Sequence, residues 1–142
     1  MKNGRFTSTS KLSRKAFALI EAARNENIDK ARDLIERGQS VNVDNVGWTP
    51  IMWAVYTDNI EMISLLLKHK ARVDYYNQDR NTAFHFCISN HACKLLLEHG
   101  ASVNVSNSTG ITPLMQAVKL DADMVTFLLV RGARVKQSCN MG

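Results

Sequence analysis

Apolar positions along this chain fall in short blocks rather than long runs. Met62, Ile63, Leu66 and Leu67 repeat at three- and four-residue spacing, the period of one helix face. Ile28, Ala31, Leu34 and Ile35 do the same earlier in the chain. Each block runs into a similar closing stretch. It reads Leu-Ile-Glu-Arg-Gly-Gln-Ser-Val-Asn over 34–42 and Leu-Leu-Lys-His-Lys-Ala-Arg-Val-Asp over 66–74. The later copies are Leu-Leu-Glu-His-Gly-Ala-Ser-Val-Asn over 96–104 and Leu-Leu-Val-Arg-Gly-Ala-Arg-Val-Lys over 128–136. Val41, Val73, Val103 and Val135 stand 32, 30 and 32 residues apart. A period of this length marks stacked supersecondary units, none of which can bury its apolar face alone.

A second pattern precedes each block. Gly47-Trp48-Thr49-Pro50-Ile51-Met52-Trp53-Ala54 matches Gly110-Ile111-Thr112-Pro113-Leu114-Met115-Gln116-Ala117, with Arg80-Asn81-Thr82-Ala83-Phe84-His85-Phe86-Cys87 as a degraded copy. Thr49 and Thr112 suit N-caps, and Pro50 and Pro113 suit the first helical position, where a missing N–H costs nothing. A first helix of about eight residues is expected, with Ala54 or Ala117 admitting a close neighbour. Asp58 and Glu61 have capping-box spacing and open a second helix. Gly38, Gly100 and Gly132 supply a left-handed residue at its end. Residues 17–38 form an atypical first copy, with Phe17-Ala18 in place of Thr-Pro.

These motifs resemble the ankyrin repeat. The resemblance covers about 16–142 and implies an all-α solenoid with short β-hairpin turns between helix pairs. The repeats fall at about 16–43, 44–76, 77–106 and 107–137, with the start of a fifth hairpin at 138–142. Copy three is irregular: Thr82 and Gly100 are 18 residues apart, against 21 for Thr49 and Lys70. The deletion falls near Ser89-Asn90-His91, so a turn is shortened or a helix loses part of a turn. Lys70 and Arg80 stand where the other copies carry glycine. If positive φ is kept there, each costs roughly 1 kcal/mol, which marks copy three as the least stable stretch. Val135 and Gly142 are seven apart, as are Val103 and Gly110, so the chain stops before a fifth Thr-Pro. We expect a fragment or a domain of a longer protein.

Composition changes this picture little. The chain has 142 residues, 45% of them hydrophobic, with seven glycines and two prolines, the balance of one globular domain. No apolar run approaches the ~18 residues of a membrane span, and no secretory signal is visible. The net charge of +5 lies wholly in residues 1–15, which carry Lys2, Arg5, Lys11, Arg14 and Lys15 and no acid. That segment reads as a basic, Ser/Thr-rich, flexible tail, with phosphorylation or contact to RNA or acidic lipid as alternatives. Cys87, Cys93 and Cys139 are an odd number and read as reduced thiols of an intracellular, cytoplasmic or nuclear protein.

No phosphate-cradling or nucleophile motif is present, and carboxylates are scattered singly, so no enzymatic activity and no cofactor are expected. His85, Cys87, His91 and Cys93 lie within nine residues, but their spacing is not that of a zinc site. The repeat register gives Cys87 and Cys93 core positions, and the resemblance gives His85 a structural bond to a turn. His69 and His99 recur at one surface position. The resemblance further implies a concave groove built from hairpin tips and first helices. Carried over by position, its candidate partner-binding residues are Asn45, Trp48, Trp53, Tyr56, Asp79, Asn81, Phe86, Ile111, Lys119 and Leu120, with Arg24 as the equivalent in copy one and Gln116 in copy four. Both tryptophans fall in this set, and aromatics are enriched at binding hot spots. The alternative is that Trp53 and Phe86 stack on each other and hold neighbouring repeats together, with Trp48 the more exposed ring. The expected function is protein–protein recognition as part of a scaffold or adaptor, by a monomer. A small regulatory inhibitor of a kinase or transcription factor, or tethering through the basic tail, are the rivals. Asn42 and Asn104 occupy the hairpin position that asparaginyl hydroxylases modify in ankyrin domains.

Overall fold

The computed structural model describes residues 10–135. Residues 1–9, Cys139 and the expected fifth hairpin lie outside that range. Four units follow one another. α1 (Ser10–Arg24) pairs with α2 (Ile28–Glu36), and α3 (Pro50–Tyr56) with α4 (Ile60–Lys68). A 3-10 turn (Ala83–Phe86) pairs with α5 (Asn90–Glu98), and α6 (Pro113–Ala117) with α7 (Ala122–Val130). The main packing contacts join elements of the same or adjacent units: α1 to α3, α3 to the 3-10 turn, that turn to α6, and α2 to α4 to α5. This nearest-neighbour pattern defines an α-solenoid.

The helix starts follow the sequence. Thr49 Oγ accepts from the Met52 amide and Thr112 Oγ from the Met115 amide, each with proline next. The second helices depart by one residue from expectation. Asn59 rather than Asp58 is the N-cap, accepting from the Met62 amide at 3.0 Å, and Asp58 takes a φ of +54° in the tight turn before it. The first helices are shorter than eight residues, and α1 is longer than expected, since its backbone is helical from Ser10, inside the segment read as a flexible tail. The β-hairpin turns reduce to isolated bridges, Asn45 with Trp48 and Tyr76 with Thr82, and no strand occurs among the described residues. The core runs through the stack: Leu19, Ile51, Met52, Met62, Ile63, Leu66, Phe84, Leu96, Met124 and Leu128 are all buried.

Copy three carries the deletion in its first helix, which becomes a single 3-10 turn closed by Cys87 in extended conformation. Amide exchange over 83–92 should be faster than over 50–62, because this turn offers fewer backbone bonds to break. Slower exchange there would contradict it.

Lys70 and Arg80 do keep positive φ, at +68° and +60°. Val46 joins them at +51°, next to Gly47 at +81°. Asn45 and Trp48 exchange both backbone hydrogen bonds across these two residues, the two-residue loop in which Asn-Gly is the favoured sequence. A β-branched residue is strained there. Val46→Asn and Lys70→Gly should each raise the unfolding free energy by about 1 kcal/mol in chemical denaturation. No change at either position would mean the backbone has relaxed elsewhere.

Candidate functional site

The site begins at the first turn. Reversal of the chain at Val46-Gly47 places Trp48 immediately before the Thr49 cap, over the start of α3. In α3 the buried side is Ile51, Met52, Ala54 and Val55, so Trp53 and Tyr56, three apart, emerge together on the opposite side. Phe86 arrives from the next unit at the end of the 3-10 turn. Trp48 then lies between two rings, 4.5 Å from Trp53 and 4.6 Å from Phe86 between centroids, both within about 31° of parallel. Tyr56 meets all three edge-on, at 5.9 Å from Trp48, 5.8 Å from Trp53 and 6.3 Å from Phe86. These are favoured aromatic geometries. At the other end the Arg24 guanidinium of α1 lies 5.8 Å from the Trp53 ring centroid, within cation–π range. The cluster therefore spans three units.

Two expectations change here. Trp53 and Phe86 do not stack on each other, because Trp48 fills the space between them. Trp48 is not the exposed ring at the tip: it is half-buried, whereas Tyr56 is 56% exposed. Tyr56 is thus the member best placed to meet another molecule.

The remaining predicted residues divide by location. Asn45 is half-buried and paired to Trp48 through the backbone. Asp79 is exposed, and its carbonyl accepts from the Ser108 amide at 2.9 Å. Asn81 Oδ1 accepts from Asn107 Nδ2 at 2.9 Å. These bonds knit the third turn to the fourth. Ile111 is half-buried, and its carbonyl receives the His85 Nε2–H at 3.0 Å. Lys119 and Leu120 are exposed, but they lie in the turn after α6 rather than on the helix, which ends at Ala117. Gln116, equivalent to Trp53 in the fourth unit, holds its Oε1 buried without a hydrogen-bond partner among the described residues.

His85 has a defined tautomer. Its Nδ1 accepts from the Thr82 amide at 3.1 Å, so the proton sits on Nε2 and is donated to the Ile111 carbonyl. Burial pushes the imidazole below its ordinary pKa, against the carbonyls of Ile111 and Val105, which favour the charged form. Both nitrogens are committed to backbone. Cys87 and Cys93 are buried free thiols, and Cys93 Sγ lies 3.5 Å from Met124 Sδ. Burial pushes the Cys87 thiol well up, which keeps it protonated and unreactive. His91 faces solvent. Among the described residues no three His, Cys, Asp or Glu side chains group as a metal would need.

Asn42 and Asn104 share one arrangement. Asn42 donates through Nδ2 to the Lys70 carbonyl at 3.2 Å and accepts at Oδ1 from the Arg72 amide at 2.8 Å. Asn104 does the same with Gly132 and Arg134, at 3.0 and 2.9 Å. Each amide ties its unit to the next. Asp74 holds the corresponding place in the second unit and can offer no N–H. Its carboxylate is bonded instead by Arg72 of its own unit. Sequence reasoning missed this difference, although Asn, Asp, Asn at one repeat position was a readable signal. It also missed the Ser89 hydroxyl donating to Asp58 at 2.7 Å, which joins the second and third units beside the aromatic cluster.

A stack of short helix pairs, each packed on its neighbours in the chain, is a repeat architecture. The comparisons with known proteins agree. The model described as ankyrin repeats in three copies matches residues 3–77 and 69–139. The chain is similar to an ankyrin repeat protein of fowlpox virus, 32% identical over 80% of this chain and 35% of that protein. It is 26% identical to an ankyrin repeat protein of Rickettsia felis over 80% of this chain and 41% of that one. It is also 34% identical to the human ankyrin repeat and SOCS box protein 3, over 66% of this chain and 19% of that protein. The chain belongs to the ankyrin-repeat family, whose members are generally protein–protein interaction modules. It spans well under half the length of these relatives.

Proposed function

We propose that the chain binds a peptide or protein segment along its row of first helices, with the Trp48–Trp53–Tyr56–Phe86 cluster as anchor. In this reading it serves as the recognition part of an intracellular scaffold or adaptor. The observation that carries it is Tyr56, which packs against three rings yet leaves 56% of its surface to solvent. A rigid aromatic with a polar tip gives contact area at low entropic cost, and such residues supply ~2 kcal/mol or more at hot spots. Arg24 at one end adds a cation.

Selection of a peptide library on the chain, counter-screened on Tyr56→Ala, tests this. Peptides should bind the parent at least tenfold more tightly, with the circular dichroism spectrum of the variant unchanged. Their binding should respond weakly to salt, whereas contact through basic residues 1–15 would weaken steeply. Peptides that bind parent and variant equally would reject the groove.

A further inference from the structure

The row of first helices is interrupted at the third unit. From Thr82, the cap of its first element, to Ser89, the cap of its second, is seven positions. The same interval is ten from Thr49 to Asn59 and nine from Thr112 to Asp121. Tyr56 and Lys119 each stand seven after the first cap of their unit, whereas the seventh position of the third unit is already Ser89. The third unit therefore has no side chain at this place in the row. What lies between Tyr56 and Lys119 is apolar: Phe86 is half-buried, Ile88 is 50% exposed and Leu120 49%. The 3-10 turn that carries Phe86 packs against both α3 and α6, so these side chains belong to one stretch of the groove.

The acids along this row are engaged. Ile88 and Leu120 precede their caps, where the first two units carry Glu26 and Asp58. Glu26 Oε1 accepts from Asn59 Nδ2 at 3.5 Å, and Asp58 Oδ1 from the Ser89 hydroxyl at 2.7 Å. Asp121 caps α7 through the Met124 amide at 2.7 Å. Glu21 of α1 lines a separate groove with Asn27 and Lys30. The cations are not neutralised: among the described residues Lys119 is exposed with no acidic partner, and Arg24 rests on Trp53 with no carboxylate on its guanidinium. A guanidinium laid on a ring keeps its N–H edge for a carboxylate. The free charge of the row is thus positive at both ends of an apolar middle. We infer that the occupant of the groove is an acidic linear peptide, with one bulky apolar side chain over Phe86 and Ile88 and a carboxylate on either side, for Lys119 and for Arg24. This rests on the groove proposed above and names the chemistry of what fills it. With neighbouring units about 10 Å apart, an extended partner places the Lys119 carboxylate about three residues from its apolar anchor. Two exposed contacts of this kind leave the salt dependence shallow.

Selection of a phage-displayed random dodecapeptide library on the full chain, in parallel with Lys119→Glu and Tyr56→Ala, tests it. Peptides that require Tyr56 should carry Asp or Glu about three residues from an aromatic or branched aliphatic residue. Synthetic copies should bind Lys119→Glu about fivefold more weakly, since the change replaces an exposed attraction with a repulsion. Selection on Lys119→Glu itself should exchange that acid for Lys or Arg. Lys119 is exposed in a turn, so this variant should melt as the parent does. Tyr56-dependent peptides without enrichment in acid, or that bind parent and Lys119→Glu equally, overturn the inference and leave the groove standing. A library that yields no Tyr56-dependent peptide rejects the groove and its acidic occupant together.

Discussion

Replacing Trp48 with alanine is expected to lower the unfolding free energy by about 3 kcal/mol, the usual scale for deleting a packed aromatic. The reason is position rather than burial alone. Trp48 is the middle ring, and its loss separates Trp53 from Phe86 and leaves Tyr56 without its central neighbour. Tyr56→Ala removes an outer ring and should cost about 1 kcal/mol, because more than half of it is already in water. Urea denaturation of the two variants separates a structural ring from a contact ring. Equal losses would show that the four rings act as one packing unit and that Tyr56 has no special exposure to offer a partner.

His85→Ala should be comparably severe, about 3 kcal/mol. It orphans a buried amide at Thr82 and a carbonyl at Ile111, and it opens a hole beneath the 3-10 turn. The histidine also predicts a pH response. Its pKa is depressed in the folded chain, so the unfolded chain takes the proton first as the solution is acidified. The contribution of His85 is complete above the ordinary histidine value near 6.5 and is lost as pH falls from there through the lower folded value. Stability between pH 7 and pH 5 should therefore drop more in the parent than in His85→Gln, followed by thermal melting. Parallel curves would place the acid sensitivity in other groups.

The architecture was legible in the sequence because it is repeated. Thr-Pro at 49–50 and 112–113 and glycine at 38, 100 and 132 report local backbone demands, and the periodic Leu-Leu pairs report burial. Each copy checks the others. What the repeat could not convey was everything that crosses between copies. Trp48 occupies a turn position that is exposed in an averaged unit, yet here it is captured between rings from two different units. The capping residue slipped from Asp58 to Asn59 because both can cap, and only the tight turn decides which of them is free to do so. The aromatic composition of the site was visible, while its order was not, since stacking order depends on where the shortened first helix of copy three delivers Phe86.

The alternation of asparagine and aspartate at 42, 74 and 104 has a mechanical meaning. Units one and two are latched, and so are units three and four, but the seam between the halves lacks its latch and closes on apolar core packing, stacked rings and the Ser89–Asp58 bond. Under tension the chain should part there, as two blocks swinging about a greasy hinge. A molecule lying across the rings would act as a splint over the one joint the backbone leaves unlocked.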